Sequence, residues 1–165
     1  AARETAAKLP PVYVYAAETA IQLTLTELNE NLREIYGVAY TQPLILDSIV
    51  RQTAQELQAI FSPYLPGLTY TDFYHLDIGT SGIMRSYMLY PCDESFSLEK
   101  KLRDFLSISL RAYNVPSEEV EQAIAFVEGL DIRQIAQQVM DKLLKDLQMR
   151  YDFTLPGESG AQTAR

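Results

Sequence analysis

Apolar residues recur every three or four positions along most of the chain, which is the spacing of one face of an α-helix. In the first segment, apolar side chains repeat at intervals of seven residues, at Val14, Ile21, Leu28 and Ile35. This stripe predicts an amphipathic helix over about residues 12–36. Gly37 follows directly, at a place where glycine often ends a helix in the left-handed conformation.

Four further segments combine the same periodicity with residues that mark helix boundaries. Proline is tolerated in the first turn of a helix, and serine or aspartate often caps its N-terminus. Glycine and proline are common just beyond the last turn. Together these signals predict helices over residues 43–62, 98–113, 116–129 and 132–152.

The segment 68–90 has a different character. It is rich in tyrosine, threonine and isoleucine, and two glycines, Gly79 and Gly82, lie inside it. Its apolar side chains alternate instead of following helical spacing, which is typical of strands. A turn over residues 79–82 would join two such strands. We therefore expect a β-hairpin between the second and third helices.

The fold expected from these elements is mainly α, with about five amphipathic helices around one core and a small β-hairpin inserted near residues 68–90. An extended hairpin would make it α+β. Nothing between the helices resembles a linker, so residues 10–155 are expected to form a single helical domain. Residues 1–9 and 156–165 hold mostly small or polar side chains and are expected to be flexible ends.

Charge and cysteine content narrow the functional classes. The 165 residues include 22 acidic and 14 basic side chains, for a net charge of -8. Binding to nucleic acid requires clustered lysine and arginine, so we expect none. The single cysteine excludes an intrachain disulfide and suits a reducing compartment. No apolar run approaches the roughly 18 residues of a membrane span, and the start resembles no signal peptide. We expect a cytoplasmic protein without a membrane span.

Reactive side chains are densest in the central segment, at Asp72, His75, Asp77 and Arg85. In a strand, His75 and Asp77 would share one face, and the carboxylate could orient the imidazole as a general base. A half-buried, hydrogen-bonded histidine explains the same residues, since no motif places a nucleophile beside it. We therefore assign no catalytic residue, no cofactor and no metal ligand. These four residues define the pocket of an alternative function.

Two groups of side chains are candidates for contact with a partner. Tyrosine, with 11 copies, is favoured where one end of a side chain is buried and the other is wet, as at interfaces. Lysine and arginine form one basic stripe on the third helix, where Glu99 and Asp104 could pair with them. The candidate interaction residues are Tyr70, Tyr74, Tyr87, Lys100, Arg103 and Arg111.

These observations favour a non-enzymatic protein–protein interaction module, such as an assembly factor, adaptor or regulatory subunit, acting through helix faces and the tyrosine-rich hairpin. The apolar faces of the first and last helices are wider than one core needs. The expected partner is another protein or a second copy of this chain in a homodimer. The alternative is a small-molecule-binding protein or an enzyme with a site around Asp72, His75, Asp77 and Arg85.

Overall fold

The computed structural model describes residues 9–151 of the chain, and the side chains of residues 9–146. Within these residues the chain forms seven helices and no strand. The helices are α1 (Pro11–Leu28), α2 (Glu30–Ala39), α3 (Pro43–Phe61), α4 (Tyr70–Leu89), α5 (Leu98–Ala112), α6 (Ser117–Glu128) and α7 (Ile132–Tyr151). None of the seven is both long and apolar enough to cross a lipid bilayer.

Helix α1 lies at the centre of the fold and packs against each of the other six helices. Ala16 and Ala20 are fully buried, and their small side chains let neighbouring backbones come close. The predicted apolar stripe is not the buried face of this helix, because Leu28 is 43% exposed. The core is filled from the adjacent face instead, by Val12, Tyr15 and Leu23 among others.

The prediction of one helix over residues 12–36 is wrong, because the chain breaks at Asn29. Its backbone is extended there, and its side-chain oxygen accepts a hydrogen bond from the backbone N–H of Leu32 at 3.1 Å, which caps α2. The predicted role of Gly37 is also wrong. It lies inside α2 and is buried, and a Cβ at this position would stand 2.5 Å from the side chain of Leu89. Glycine here permits the close approach of α2 and α4.

The predicted β-hairpin near residues 68–90 is absent, since helix α4 spans this segment. Thr69 and Asp72 form a reciprocal capping box that starts the helix. Its buried side chains recur at helical spacing and include three polar residues: Phe73, Asp77, Thr80, Ser81, Met84 and Met88. The polar members interrupted the apolar pattern in the sequence. The described fold is therefore all-helical, with seven helices instead of five.

The other four predicted helices are confirmed to within one or two residues at each described boundary. Ser97 caps α5 by accepting from the N–H of Lys100, and Asp131 accepts from the N–H of Gln134 at the start of α7. Of the two ends that we expect to be flexible, the tail over 156–165 and all but Leu9 of the first lie outside the described residues.

Helices α3 and α4 form the most extensive helix pair. The hydroxyl of Tyr74 donates to the Asp47 carboxylate at 2.6 Å, and that of Tyr70 donates to the Arg51 carbonyl at 3.1 Å. Beneath this pair the rings of Phe61 and Tyr113 stack with centroids 4.3 Å apart. The Tyr113 hydroxyl is hydrogen-bonded to the Thr80 hydroxyl of α4 at 2.6 Å, where the polar residues of that helix point inward.

Candidate functional site

Asp77 is the most unusual residue of the core. It lies in the middle of α4, is only 3% exposed, and faces the interior of the bundle. One carboxylate oxygen, Oδ1, accepts a hydrogen bond from the Thr80 hydroxyl at 3.0 Å. The other, Oδ2, is buried and has no hydrogen-bond partner among the described residues. A buried carboxylate oxygen without a partner is costly, so its presence needs a physical reason.

Asp77 borders a cavity of about 140 Å³ between α1, α3, α4 and α5. Its polar lining is contributed mostly by hydroxyl groups, and its apolar lining by aliphatic and aromatic side chains. The lining residues are Tyr15, Thr19, Gln22, Tyr40, Ile49, Thr53, Leu57, Asp77, Thr80, Ser81, Met84, Phe105 and Tyr113. We call this space the Asp77 cavity. No lysine, arginine or histidine is among the described residues that line it.

The electrostatics of the Asp77 cavity follow from burial. Burial raises the pKa of the Asp77 carboxyl from 3.8 to about 6, although the hydrogen bond from Thr80 works in the opposite direction. Burial also raises the pKa of Tyr15 to about 12, and it raises that of Tyr113. Asp77 is thus the lining group whose charge changes near neutral pH, while these two phenols stay uncharged.

The structure does not bring the four residues of the alternative pocket together. Asp72 is committed to the capping box of α4, where it accepts from the N–H of Thr69 at 2.8 Å. His75 and Arg85 lie on the exposed side of α4. Residues two apart on a helix point roughly 200° away from each other. The alternative pairing of His75 with Asp77, which required a strand, is therefore not formed on this helix.

Tyr70, Tyr74 and Tyr87 are half-buried on α4. Tyr70 and Tyr74 use their hydroxyls to hold α3, and the Arg51 guanidinium lies 5.4 Å from the centre of the Tyr74 ring. The Tyr87 ring packs edge-on against Phe105 of the core. Packing within the bundle accounts for these three side chains.

The basic side chains of α5 lie on the surface. Lys100 pairs with Asp104 at 2.8 Å, as the i,i+4 spacing predicts. Arg103 reaches across to α6, where it contacts Glu121 at 3.0 Å and Glu128 at 3.3 Å. Arg111 is exposed near the end of the helix. The interaction proposed for the stripe must therefore compete with acidic groups already beside two of its three members.

Lys101, next to this stripe, is fully buried. Its ammonium group donates to the Glu27 carboxylate at 2.9 Å and to the carbonyl of Tyr90. The backbone N–H of Cys92 also donates to Glu27, at 3.0 Å. Burial by itself would raise the pKa of Glu27, but the hydrogen bonds from Lys101 and Cys92 outweigh it and lower that pKa. This network joins α1, α5 and the loop that follows α4.

A second unusual feature is apolar and lies at the surface, where α2 turns into α3. Four large aliphatic side chains are exposed there: Ile35 by 62%, Val38 by 59%, Leu44 by 87% and Ile45 by 48%. The turn between the helices is tight, with the Thr41 hydroxyl donating to the Val38 carbonyl at 2.7 Å. Residues 35–46 contain no charged side chain. We call these four side chains and their turn the α2–α3 corner.

The residues that line the Asp77 cavity were mostly missed from the sequence. Tyr15, Tyr40 and Tyr113 lie far apart along the chain, and only packing brings them together. A signal was present in the central segment, where an acid and two hydroxyl residues follow one another at positions 77, 80 and 81. This is the spacing of one helical face.

No family model, curated protein or solved structure matches this chain. Among the described residues, no three histidine, cysteine, aspartate or glutamate side chains come together as a metal site would require. The Asp77 cavity and the α2–α3 corner are therefore the two features of the described residues that bear on function.

Proposed function

We propose that the protein is a non-enzymatic interaction module that forms a homodimer through the α2–α3 corner. The observation that carries this proposal is the exposure of four large aliphatic side chains in one uncharged stretch of an otherwise acidic chain. Exposed aliphatic residues that cluster in this way mark interaction surfaces, whereas isolated ones are ordinary.

The uncharged, apolar character of this surface favours a second copy of the chain as the partner, in spite of the net charge. Two chains with a net charge of -8 each repel one another. Contact through the corner brings no charged side chain of residues 35–46 into the interface. An apolar patch is also complementary to itself, as a two-fold symmetric dimer requires. The mutual repulsion then acts only at longer range, where salt screens it.

The placement of His75 and Arg85 supports an interaction module over the alternative of an enzyme with a site around Asp72, His75, Asp77 and Arg85. Neither His75 nor Arg85 lines the Asp77 cavity. A role as assembly factor, adaptor or regulatory subunit is compatible with a small helical dimer. The net charge supports the proposal that nucleic acid is not a partner. The single free cysteine supports a cytoplasmic location.

Sedimentation of the Leu44→Glu variant tests the interface. Leu44 is 87% exposed and lies in the first turn of α3, where a glutamate is favourable for the helix. We expect the parent chain to sediment at micromolar concentration with twice its monomer mass, and the variant to sediment as a monomer. Ile108→Glu is the matched control, since it introduces the same charge at an exposed aliphatic residue of α5 and should leave the dimer intact.

The same experiment distinguishes the α2–α3 corner from a second exposed surface, which lies on α7. Beyond Met140, which contacts the end of α1 through Asn29, every described side chain of α7 is exposed, including Leu143 and Leu144. If Leu143→Glu dissociates the dimer and Leu44→Glu does not, the interface lies on α7 and the proposal for the corner is overturned. A monomeric parent chain overturns the homodimer itself. Salt should strengthen a dimer built on the corner, whereas an interface built on ion pairs would weaken.

A further inference from the structure

We propose that the Asp77 cavity binds a small organic ammonium ion, with the ammonium group on the free oxygen of Asp77 and a short apolar body against the aliphatic and aromatic lining. This site is independent of the α2–α3 corner. It is argued from the direction of the hydrogen bonds in the lining, from the missing countercharge and from the size of the cavity.

Three of the hydroxyl groups that line the cavity present acceptors to it. A serine or threonine hydroxyl has one hydrogen to donate. Thr19 donates it to the Tyr15 carbonyl at 2.8 Å, and Thr53 donates to the Ile49 carbonyl at 2.8 Å. Ser81 likewise donates to the Ile78 carbonyl at 3.2 Å. Their lone pairs remain for the cavity. Together with Oδ2 of Asp77 they form a set of acceptors, which a ligand must match with donors.

The missing countercharge selects a cation among possible donors. Buried carboxylates are ordinarily paired with a positive group, and the Asp77 cavity has no lysine, arginine or histidine in its described lining. An ammonium group supplies three donors and a positive charge on one nitrogen. The rings of Tyr15, Phe105 and Tyr113 also line the space, and aromatic faces attract cations.

The volume and the apolar lining select a short organic body over a bare metal ion. Ile49, Leu57 and Met84 offer no ligand for an inorganic cation, but they are suitable contacts for methylene groups. A cavity of about 140 Å³ is close to the size of about 150 Å³ at which an engineered apolar cavity admits benzene. A ligand of about five or six non-hydrogen atoms, such as n-butylammonium, matches this space.

Titration of the full chain with n-butylammonium chloride, followed by amide NMR spectra, tests the proposal. We expect saturable shifts confined to residues that line the cavity, with one ligand per chain. Asp77→Asn, which keeps the side-chain shape and removes the charge, should weaken binding at least about tenfold, equivalent to about 1.4 kcal/mol. Asp141→Asn makes the same substitution at an exposed residue of α7 and should bind like the parent.

Two comparison ligands, one uncharged and one inorganic, separate the sources of affinity. n-Butanol has nearly the same shape without the charge, and potassium chloride supplies a cation without the apolar body. Both should bind more weakly than n-butylammonium. Equal binding of n-butanol would show that the carboxylate does not select charge, and equal binding of potassium would indicate an inorganic cation site. Either result overturns the proposal, as does the absence of saturable binding up to about 10 mM.

A second variant guards against misfolding of Asp77→Asn. Thr53→Leu adds an apolar branch at a half-exposed lining position and leaves the carboxylate in place. It should weaken binding of n-butylammonium more than that of methylammonium, because only the longer ion needs the lost space. If both ions bind to this variant as they do to the parent, the cavity is not the binding site.

Discussion

At the scale of the residue, Asp77 is the group on which the proposed ligand site depends. A carboxylate with no countercharge in its described surroundings is held in a core where a leucine would pack at lower cost. Groups whose burial lowers the stability of the folded protein, and which lie in a cavity with a perturbed pKa, are typical of functional sites. Asp77 lies on α4, the helix that the sequence pattern did not predict. Its burial, with that of Thr80 and Ser81, interrupts the apolar periodicity of the segment.

The stability of the protein should depend on pH through Asp77. Its pKa is about 6 in the folded protein against an ordinary 3.8, so the folded protein binds this proton more tightly than the unfolded chain does. The protonated Asp77 carboxyl therefore contributes to the stability of the folded protein at acidic pH. This contribution declines from about pH 4 to about pH 6 and is absent above that range. Asp77→Asn should therefore be more stable than the parent at pH 7, by about 1–3 kcal/mol once screening by solvent is allowed for.

Denaturant unfolding at pH 4, 5, 6 and 7 measures this difference, and Asp141→Asn serves as the exposed control. The gap between Asp77→Asn and the parent should close toward pH 4. A variant that is less stable than the parent at pH 7, with no dependence of the gap on pH, would show that the neutral carboxyl is not the stable form of Asp77.

At the scale of the element, α4 is a helix because of its cap and its packing more than its composition. Thr69 and Asp72 satisfy the first N–H groups, which fixes the start. Its buried face contains Asp77, Thr80 and Ser81, so the apolar residues alone do not trace a helical stripe. β-branched and aromatic residues in the same segment resemble a strand by composition. Contact with α3 and with α1 decides between the two.

Replacing the glycines of α4 distinguishes a helix from a hairpin. Gly79 and Gly82 lie inside the helix on its exposed side, and a Cβ at either position would contact nothing within 4 Å. Gly79→Ala and Gly82→Ala should each raise the free energy of unfolding by about 0.5–1 kcal/mol, because alanine favours a helix interior. In a hairpin turn at these glycines the same changes would be destabilising.

Thermal or denaturant unfolding shows directly whether each substitution raises or lowers the free energy of unfolding. Gly67→Ala is the informative control, since Gly67 has a φ of 86°, in the left-handed region that L-residues avoid. The Gly67→Ala variant should have a free energy of unfolding about 1 kcal/mol lower than that of the parent. Destabilisation by both α4 substitutions would count against the helix over Tyr70–Leu89.

At the scale of the molecule, α1 and the Glu27–Lys101 network hold the bundle together. Helix α1 contacts every other helix, and Glu27, near its end, accepts hydrogen bonds from α5 and from the loop after α4. Arg33 of α2 approaches the same carboxylate at 3.6 Å. A buried ion pair of this kind contributes less through its own energy than through the cost of breaking it, because one charge is then left without its partner.

Lys101→Met should lower the free energy of unfolding by about 1–3 kcal/mol, since it removes the buried ammonium group from Glu27 and from the Tyr90 carbonyl. Lys100→Met is the matched control one residue away. Its ammonium pairs with Asp104 at the surface, and its loss should cost no more than about 0.5 kcal/mol. Both are measured by denaturant unfolding. Equal effects for the two lysines would show that the buried network is not what joins these elements.

The sequence by itself determined the features that depend on residues within a few positions of one another along the chain. Pro43, Ser97 and Asp131 mark helix starts because capping and proline geometry act over a single turn. The acidic charge and the lone cysteine are likewise properties of composition. Four helices were therefore predicted at nearly their observed bounds.

Only the tertiary structure decided which faces are buried. The helix over the central segment and the burial of Lys101 both depend on contacts between distant parts of the chain. The Asp77 cavity joins Tyr15, Asp77 and Tyr113, whose separation in sequence leaves no local pattern. A periodic pattern indicates that one face is apolar, but packing selects the face that meets the core. A polar group can also be buried there when its neighbours supply hydrogen bonds.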